Sequence, residues 1–329
     1  MILLTGGSGF IGSHFHNLLP NNQLVNLDLL EPSFNYASKY VKGDIRIEED
    51  IRRAVQGKNV KTILTLAAKH HDFGVGHDEY FDTNEEGTKM ICKVATEFNI
   101  NEIIFYSSVA VYGISENIST EQMMPAPDAP YGASKLAGEK VLEKWSAEDP
   151  ARKVLIIRPT LVFGPNNMAN MRNLIRQIDS GLYFHLGKAD NVKSVAYVEN
   201  VVKATMYLIG KMTPGISIYN YADEPQLTTR QISNVIATSL QKKVRFTIPK
   251  TLGVMMGIPF DLMIKISGKN LPISTARIKK LGTSTHHSAR KIFAEGFTPD
   301  YSTDDGLQKM VEWYKEEKKQ EYLRAKALR

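Results

Sequence analysis

Of the 329 residues only one, Cys92, is a cysteine. A single thiol excludes an internal disulfide framework and fits a reducing compartment. Lying in a helical stretch, it reads as a small apolar residue rather than a nucleophile. Uninterrupted apolar runs long enough to cross a bilayer are missing too. The most apolar stretch, Thr251 to Ile266, is broken by Pro259, Asp261 and Lys265. It reads as a buried or groove-covering helix pair, with peripheral membrane contact as the alternative and no stable membrane insertion. Met1 to Leu4 runs straight into glycines without a basic leader or a cleavage site, so export is not expected and a cytoplasmic location is. Internal repeats and low-complexity linkers are absent. No closed set of metal ligands occurs. His70, His71, Asp72, His77 and Asp78 gather in one segment, but without four-ligand spacing they read as loop residues, and no metal is expected. His286 and His287 read as a polar surface loop.

What is present is a chain that is 43% hydrophobic, enough for a well-buried core. The formal charge of +6 would suit an anionic ligand or a nucleic acid. Much of the excess, however, lies in Lys315 to Arg329 among interleaved acidic residues, the pattern of a solvated helical face. No nucleic-acid module accompanies it, so no nucleic-acid partner is expected.

Short apolar runs recur at Met1 to Leu4, Leu24 to Leu27, Tyr40 to Val41, Thr62 to Leu66, Ile103 to Tyr106 and Val154 to Ile157. Helical patterns separate them at Ile11 to Leu19, Glu48 to Val55, Asn84 to Asn99 and Tyr131 to Ala147. Strand alternating with helix predicts an α/β fold with a doubly wound parallel sheet, because parallel strands need long crossovers. After Gly164 the rhythm changes. Asn170 to Ser180 reads as helix, Lys193 to Val198 and Ser217 to Tyr221 as strands, and helices with irregular segments dominate from Pro225 onward. The expected division is a dinucleotide-binding domain of residues 1–164 and 192–224 and a smaller, mostly helical substrate lobe of residues 165–191 and 225–329.

Thr5-Gly6-Gly7-Ser8-Gly9-Phe10-Ile11-Gly12 follows the first strand and opens the first helix. Gly6, Gly9 and Gly12 have the spacing that permits a tight turn, close approach to a pyrophosphate and close helix packing, with the helix-start amides of Phe10 and Ile11 facing the anion. Asp28 ends the second strand, where a carboxylate accepts ribose hydroxyls and repels a 2′-phosphate; no arginine follows it. NAD is therefore favoured over NADP. Asp44-Ile45 is a further candidate for the adenine end.

Tyr131 and Lys135 stand four apart at the start of a helix led by Pro130, so they share one face. A tyrosine titrates near pH 10, and a neighbouring ammonium and the positive helix end favour its phenolate, making it a usable acid/base. Ser108 follows the strand ending at Tyr106, at the carboxyl edge of the sheet, placed to hydrogen-bond a reacting oxygen.

The glycine turn, Asp28, Asp44-Ile45, Leu66-Ala67-Ala68, Asn84, Ser107-Ser108, Val111-Tyr112-Gly113, Tyr131-Gly132-x-Ser134-Lys135, Arg158-Pro159 and Tyr197-Val198-Glu199-Asn200 together resemble the extended short-chain dehydrogenase/reductase family, in its NAD-dependent epimerase/dehydratase group. The resemblance implies a Rossmann domain and a catalytic set of Ser108, Tyr131 and Lys135, with Asn84 supporting the proton relay. It also implies that Lys135 holds the nicotinamide ribose, that Pro159 lies at the nicotinamide end, and that Leu66, Ala67, Ala68 and Ser107 contribute to the cofactor site. A homodimer through the Asn84 and Tyr131 helices follows by the same analogy.

Dehydratases of this family carry an Asp-Glu pair after the strand-end hydroxyl; here Val109-Ala110 stands there. Elimination is disfavoured, leaving an NAD-dependent nucleotide-sugar 4-epimerase working through a transient 4-ketone, of the kind that serves polysaccharide biosynthesis. Alternatives are a nucleotide-4-keto-6-deoxy-sugar reductase, a 3β-hydroxysteroid dehydrogenase-like oxidoreductase and a non-catalytic dinucleotide sensor; a sensor would be expected to lose the tyrosine or the lysine. For the substrate diphosphate the resemblance suggests Asn170, and Lys193 and Arg277 are basic candidates, each equally readable as an ordinary surface residue.

Overall fold

The computed structural model describes every residue except 34–38, 70–75, 116, 268–274, 276–281 and 328–329. From the N-terminus the elements are β1 (Ile2–Thr5), α1 (Phe10–Leu18), β2 (Leu24–Asp28), β3 (Lys39–Lys42), α2 (Glu48–Val55), β4 (Thr62–Thr65), α3 (His77–Phe81), α4 (Gly87–Glu97), β5 (Glu102–Tyr106), α5 (Pro130–Ala147), β6 (Lys153–Pro159) and β7 (Leu161–Phe163). There follow α6 (Asn170–Asp179), β8 (His185–Leu186), β9 (Val192–Lys193), β10 (Val195–Tyr197), α7 (Val198–Ile209), β11 (Gly215–Tyr221), β12 (Leu227–Thr228), α8 (Thr229–Ser239), β13 (Thr247–Ile248), α9 (Lys250–Ser267), α10 (Arg290–Ala294) and α11 (Thr303–Ala327).

Seven strands form one sheet in the order β11-β6-β5-β4-β1-β2-β3, every neighbouring pair parallel. The middle residues of its central strands are apolar and fully buried, Leu3, Leu4, Ile63, Leu64, Ile103 and Ile104, because helices cover both faces. The strand order reverses between β1 and β4, and the carboxyl ends of that pair open the crevice in which such sheets bind ligands. This is the doubly wound Rossmann arrangement the strand-helix rhythm predicts.

The chain falls into two compact units. The first comprises Met1–Val162, Val198–Ala222 and His287–Asp300; the second comprises Phe163–Tyr197, Asp223–His286 and Tyr301–Arg329. These units depart from the expected boundaries by two residues each at 163–164 and 223–224, and by longer stretches at 192–197 and 287–300. Residues 192–197 join the second unit because β9 pairs antiparallel with β12 and the Ser194 amide donates to the Thr285 carbonyl at 2.9 Å. Residues 287–300 join the first unit: the Lys291 ammonium donates to the Ile218 carbonyl at 2.7 Å, and Phe297 packs against Tyr207 and Tyr221.

Two further expectations need correction. Thr251 to Ile266 is one helix, α9, running through Pro259. A proline forfeits one backbone bond and bends a helix without necessarily ending it. Nor is this segment simply buried, since Leu252, Met255, Ile258 and Met263 are exposed. His287, expected on a polar surface, is buried and stacks on Tyr112 with ring centroids 6.2 Å apart. Cys92 behaves as expected: it is buried in α4, and burial pushes its thiol up to about 12. No described helix is long and apolar enough to cross a membrane.

Candidate active site

At the end of β1 the backbone must turn sharply into α1. Gly6 adopts φ +72°, and a Cβ there would lie 2.6 Å from the Ala67 nitrogen. Only glycine lets the β1 turn and the segment after β4 meet this closely. At Gly12 a Cβ would lie 2.5 Å from the Gly7 Cα, so its absence seats α1 directly on the turn. Gly9 caps α1 without a side-chain hydrogen bond, and the first-turn amides of any helix, here from Phe10 and Ile11 onward, lack intrahelical acceptors. This cradle, which side chains would fill, fits a dinucleotide diphosphate.

Asp28 closes the turn from the next strand. Its carboxylate accepts the Ser8 amide at 2.9 Å and the Leu30 amide at 3.0 Å, which fixes its orientation at the crevice. Asp44 is held differently. Burial raises its carboxyl, but hydrogen bonds and charge from Arg46 outweigh that and hold it below its ordinary value; Arg46 Nε donates to it at 2.9 Å. Its carboxylate is thus already paired, while Ile45 is buried and packs where Gly87 leaves room.

Leu66 and Ala67 hang from the Thr5 carbonyl, each amide donating at 3.0 Å, and Ala68 follows, half-buried. Asn84, buried in a π-helical turn (Asp82–Glu86) before α4, continues the clamp. Its amide exchanges hydrogen bonds with the Lys69 backbone, both at 3.1 Å, and donates to Ser134 Oγ at 2.9 Å. Asn84 therefore ties the segment after β4 to α5.

Beyond β5, Ser108 caps a 3₁₀ turn (Val109–Tyr112) and accepts the Ala110 amide at 3.1 Å. α5 begins against that turn. A Cβ on Gly132 would lie 2.3 Å from the Ala110 carbonyl oxygen, so the glycine beside Tyr131 brings the helix start onto the serine turn. The Tyr131 ring, half-buried, lies 6.3 Å from that of Tyr80. One turn on, Lys135 is only 2% exposed, its ammonium 4.4 Å above the Phe105 ring. Burial pushes it down to about 7, while the negative charge of Glu139 pulls it upward.

Glu139 was not singled out by the sequence reading. It is buried next to Lys135 and forms an ion pair with buried Arg158, whose Nε donates to it at 2.9 Å. It also accepts from Ser107 Oγ at 2.5 Å, so the Ser107 side chain turns inward rather than into the crevice. Arg158 in turn donates to the Tyr112 hydroxyl at 2.8 Å, and that hydroxyl donates to Asn220 Oδ1 at 2.8 Å. The network joins α5, β6, the serine turn and β11 beneath Lys135. Pro159, next along β6, is buried and aligned with Tyr221 of β11.

Asn170 and Lys193 belong to the second unit. Asn170 is exposed at the start of α6. Lys193 donates to the Thr283 carbonyl at 2.6 Å, a structural use of its charge. Arg277, like His70, His71 and Asp72, lies outside the described residues. His77 and Asp78, expected in a loop, instead open α3, exposed and 3.3 Å apart, and no grouping of three or more metal ligands occurs among the described residues.

Comparison with known proteins identifies the family. A family profile described as "NAD dependent epimerase/dehydratase family" matches residues 2–222. An N-acetyl-alpha-D-glucosaminyl-diphospho-ditrans,octacis-undecaprenol 4-epimerase of Escherichia coli O157:H7 is 34% identical over 95% of this chain and 94% of its own. A UDP-glucose 4-epimerase of Vibrio cholerae is 28% identical over 81% of this chain and 85% of its own. Among solved structures, a Thermus thermophilus UDP-glucose 4-epimerase in complex with NAD superposes with a TM-score of 0.75 at 22% identity, covering 95% of this chain and 98% of that one. The chain belongs to the NAD-dependent epimerase/dehydratase family, within the extended short-chain dehydrogenases/reductases, and is one of its NAD-dependent enzymes.

Proposed function

We propose that the chain is a 4-epimerase of a nucleotide-activated sugar, with Ser108, Tyr131 and Lys135 as its catalytic residues. The observation that carries the reading is the seating of α5 on the serine turn through Gly132, with Val109 and Ala110 where elimination would need an acid and a base. When bound, NAD supplies the hydride acceptor and donor for C4. Gly6, Gly9, Phe10, Ile11 and Gly12 would hold its diphosphate, Asp28 its adenosine ribose, and Leu66 to Ala68, Asn84, Lys135 and Pro159 would shape the rest of its bed. Tyr131 takes the proton of the C4 hydroxyl as the ketone forms and returns it when the opposite epimer is made. Ser108 donates to the same oxygen, and the Lys135 cation favours the phenolate.

An epimerase finishes each cycle with its cofactor in the starting state, whereas a reductase consumes NADH with product. The purified protein is expected to interconvert two C4 epimers without added NADH. Strict dependence on stoichiometric NADH and a 4-keto substrate would replace this reading with the ketoreductase. Tyr131→Phe is expected to lower turnover by about 10²–10⁴ with NAD affinity nearly unchanged by titration.

A second reading concerns the group beyond the diphosphate. The 34% identical relative is named for a sugar carried on diphospho-undecaprenol, and this chain displays an apolar helix face. Both favour a polyprenyl carrier, so the epimerisation assay is run on sugar diphosphates linked to a nucleoside and on sugar diphosphates linked to a polyprenol. We also propose a homodimer through α4 and α5, where a groove is lined by Lys89, Lys93, Ala137, Val141 and Lys144.

A further inference from the structure

A surface helix of a globular protein normally turns its polar side to water. α9 does the reverse. At 3.6 residues per turn, Thr251, Leu252, Met255, Ile258, Pro259 and Met263 share an arc of roughly 140°, and all six are exposed. Leu252 is 49%, Met255 62%, Ile258 56% and Met263 54% exposed. Residues on the opposite side, Gly253, Val254, Asp261 and Ile264, are buried or half-buried. The Asp261 carboxylate is engaged by the Thr275 amide at 3.0 Å.

The apolar face does not stand alone. β13, which leads into α9, pairs with β8, and the residues entering the two strands, Phe246 and Phe184, are both exposed. The segment from Gln241 to Ser267 carries Lys242, Lys243, Arg245, Lys250 and Lys265 against the single acid Asp261. Lys242 pairs with Asp179 and Lys250 lies on the opposite side of α9 with its stem against Gly187, while Lys243 and Arg245, in the segment leading into α9, are exposed. Exposed aliphatic and aromatic side chains flanked by lysine and arginine are the chemistry that lies in an anionic bilayer surface: the apolar groups enter the acyl boundary and the cations meet the headgroups. The length and hydropathy of α9 do not suffice for a span, which leaves the in-plane position.

We infer that α9, with the basic segment leading into it, docks this enzyme on an anionic lipid bilayer. The inference rests on the polyprenyl-carrier reading in one respect, since a sugar whose carrier is embedded in the bilayer requires an enzyme working at that surface. The docking face itself stands on the exposed side chains.

The test floats the protein with phosphatidylethanolamine vesicles containing phosphatidylglycerol and with vesicles of phosphatidylcholine alone. Wild type is expected to float with the anionic vesicles and to be released as salt is raised. Met255→Gln/Ile258→Gln is expected to weaken association by at least about tenfold, with an unchanged melting temperature because both residues are exposed. Lys243→Glu/Arg245→Glu is expected to abolish the preference for the anionic vesicles. Failure of wild type to float, or equal flotation of the Met255/Ile258 variant, would overturn the docking. So would conversion of a dimer to monomer by that variant without vesicle binding, since the face would then belong to a second copy. Epimerisation of a water-soluble nucleotide sugar should be untouched by these changes. Flotation without turnover of any sugar diphosphate would instead overturn the 4-epimerase reading and leave the docking in place.

Discussion

An ammonium as deeply buried as that of Lys135 costs the folded state, and the cost depends on pH in a defined direction. Its pKa falls to about 7 in the fold, chiefly by loss of solvent, against about 10.4 in an unfolded chain. Below about pH 7 both states hold the proton and the full penalty of burying a charge is present. Between the two values the unfolded chain binds a proton that the folded one has shed, so this group makes stability rise with pH; above both it contributes nothing. Lys135→Met keeps the shape and removes the charge. It is expected to melt a few degrees higher, equivalent to about 1 kcal/mol, in scans below pH 7. That advantage should fade as pH climbs toward 10, while turnover is lost at every pH. A variant that melts lower than wild type throughout would show that the Phe105 contact and Glu139 already offset the burial. Glu139 also marks a limit of reading one residue at a time. An acid four places after Lys135, and an arginine just past the apolar run Val154 to Ile157, are each unremarkable alone. Their pairing depends on α5 crossing β6, which no local pattern encodes, although a charge in an otherwise apolar strand does require a buried partner.

Single elements were the most legible part of the chain, because each obeys a local rule. β1 to β6 sit where short apolar runs predict them, and α5 starts at Pro130, since proline at a first helical position loses no hydrogen bond. The turn between β1 and α1 was legible for a steric reason that can be tested. Gly12→Ala would place its methyl carbon 2.5 Å from the Gly7 Cα and 2.6 Å from the Gly7 carbonyl oxygen. Both neighbours are backbone, so no side-chain rotation relieves the clash and α1 must move off the turn. The expected result is a loss of about 1–3 kcal/mol of stability together with weaker NAD binding in titration. A variant with wild-type melting and wild-type affinity would show that the turn yields at no cost. Elements that lie on the surface were less legible. α9 has the composition of a core helix, and composition alone does not say whether an apolar face meets protein or solvent.

At the scale of the molecule, the domain division was only partly legible, because the chain crosses between units and the crossings are decided by tertiary pairings such as β9 with β12 and α10 with β11. Assembly is a second property of this scale. The groove between α4 and α5 is lined by Lys89, Lys93, Lys140 and Lys144 together with Glu85 and Glu148, around Ala137 and Val141. A two-fold axis through such a face turns it onto its own copy. In the proposed dimer the contact would be self-complementary, lysines of one protomer meeting glutamates of its partner and the small apolar residues meeting at the centre. Val141→Asp would then set two carboxylates facing each other across the axis in a desolvated interface, where like charges repel strongly. Light scattering on the eluting protein is expected to give twice the chain mass for wild type and the single-chain mass for Val141→Asp. Because Val141 is half-buried and packs against the core, Val141→Asp is also expected to melt lower, so Val141→Ala, which carries no charge, serves as the control and should keep the doubled mass. The α9 variants should leave the wild-type mass unaltered, because the proposed assembly and lipid surfaces use different residues. A wild-type protein that elutes as a single chain, or a Val141→Asp variant that keeps the doubled mass, would remove α4 and α5 as the interface.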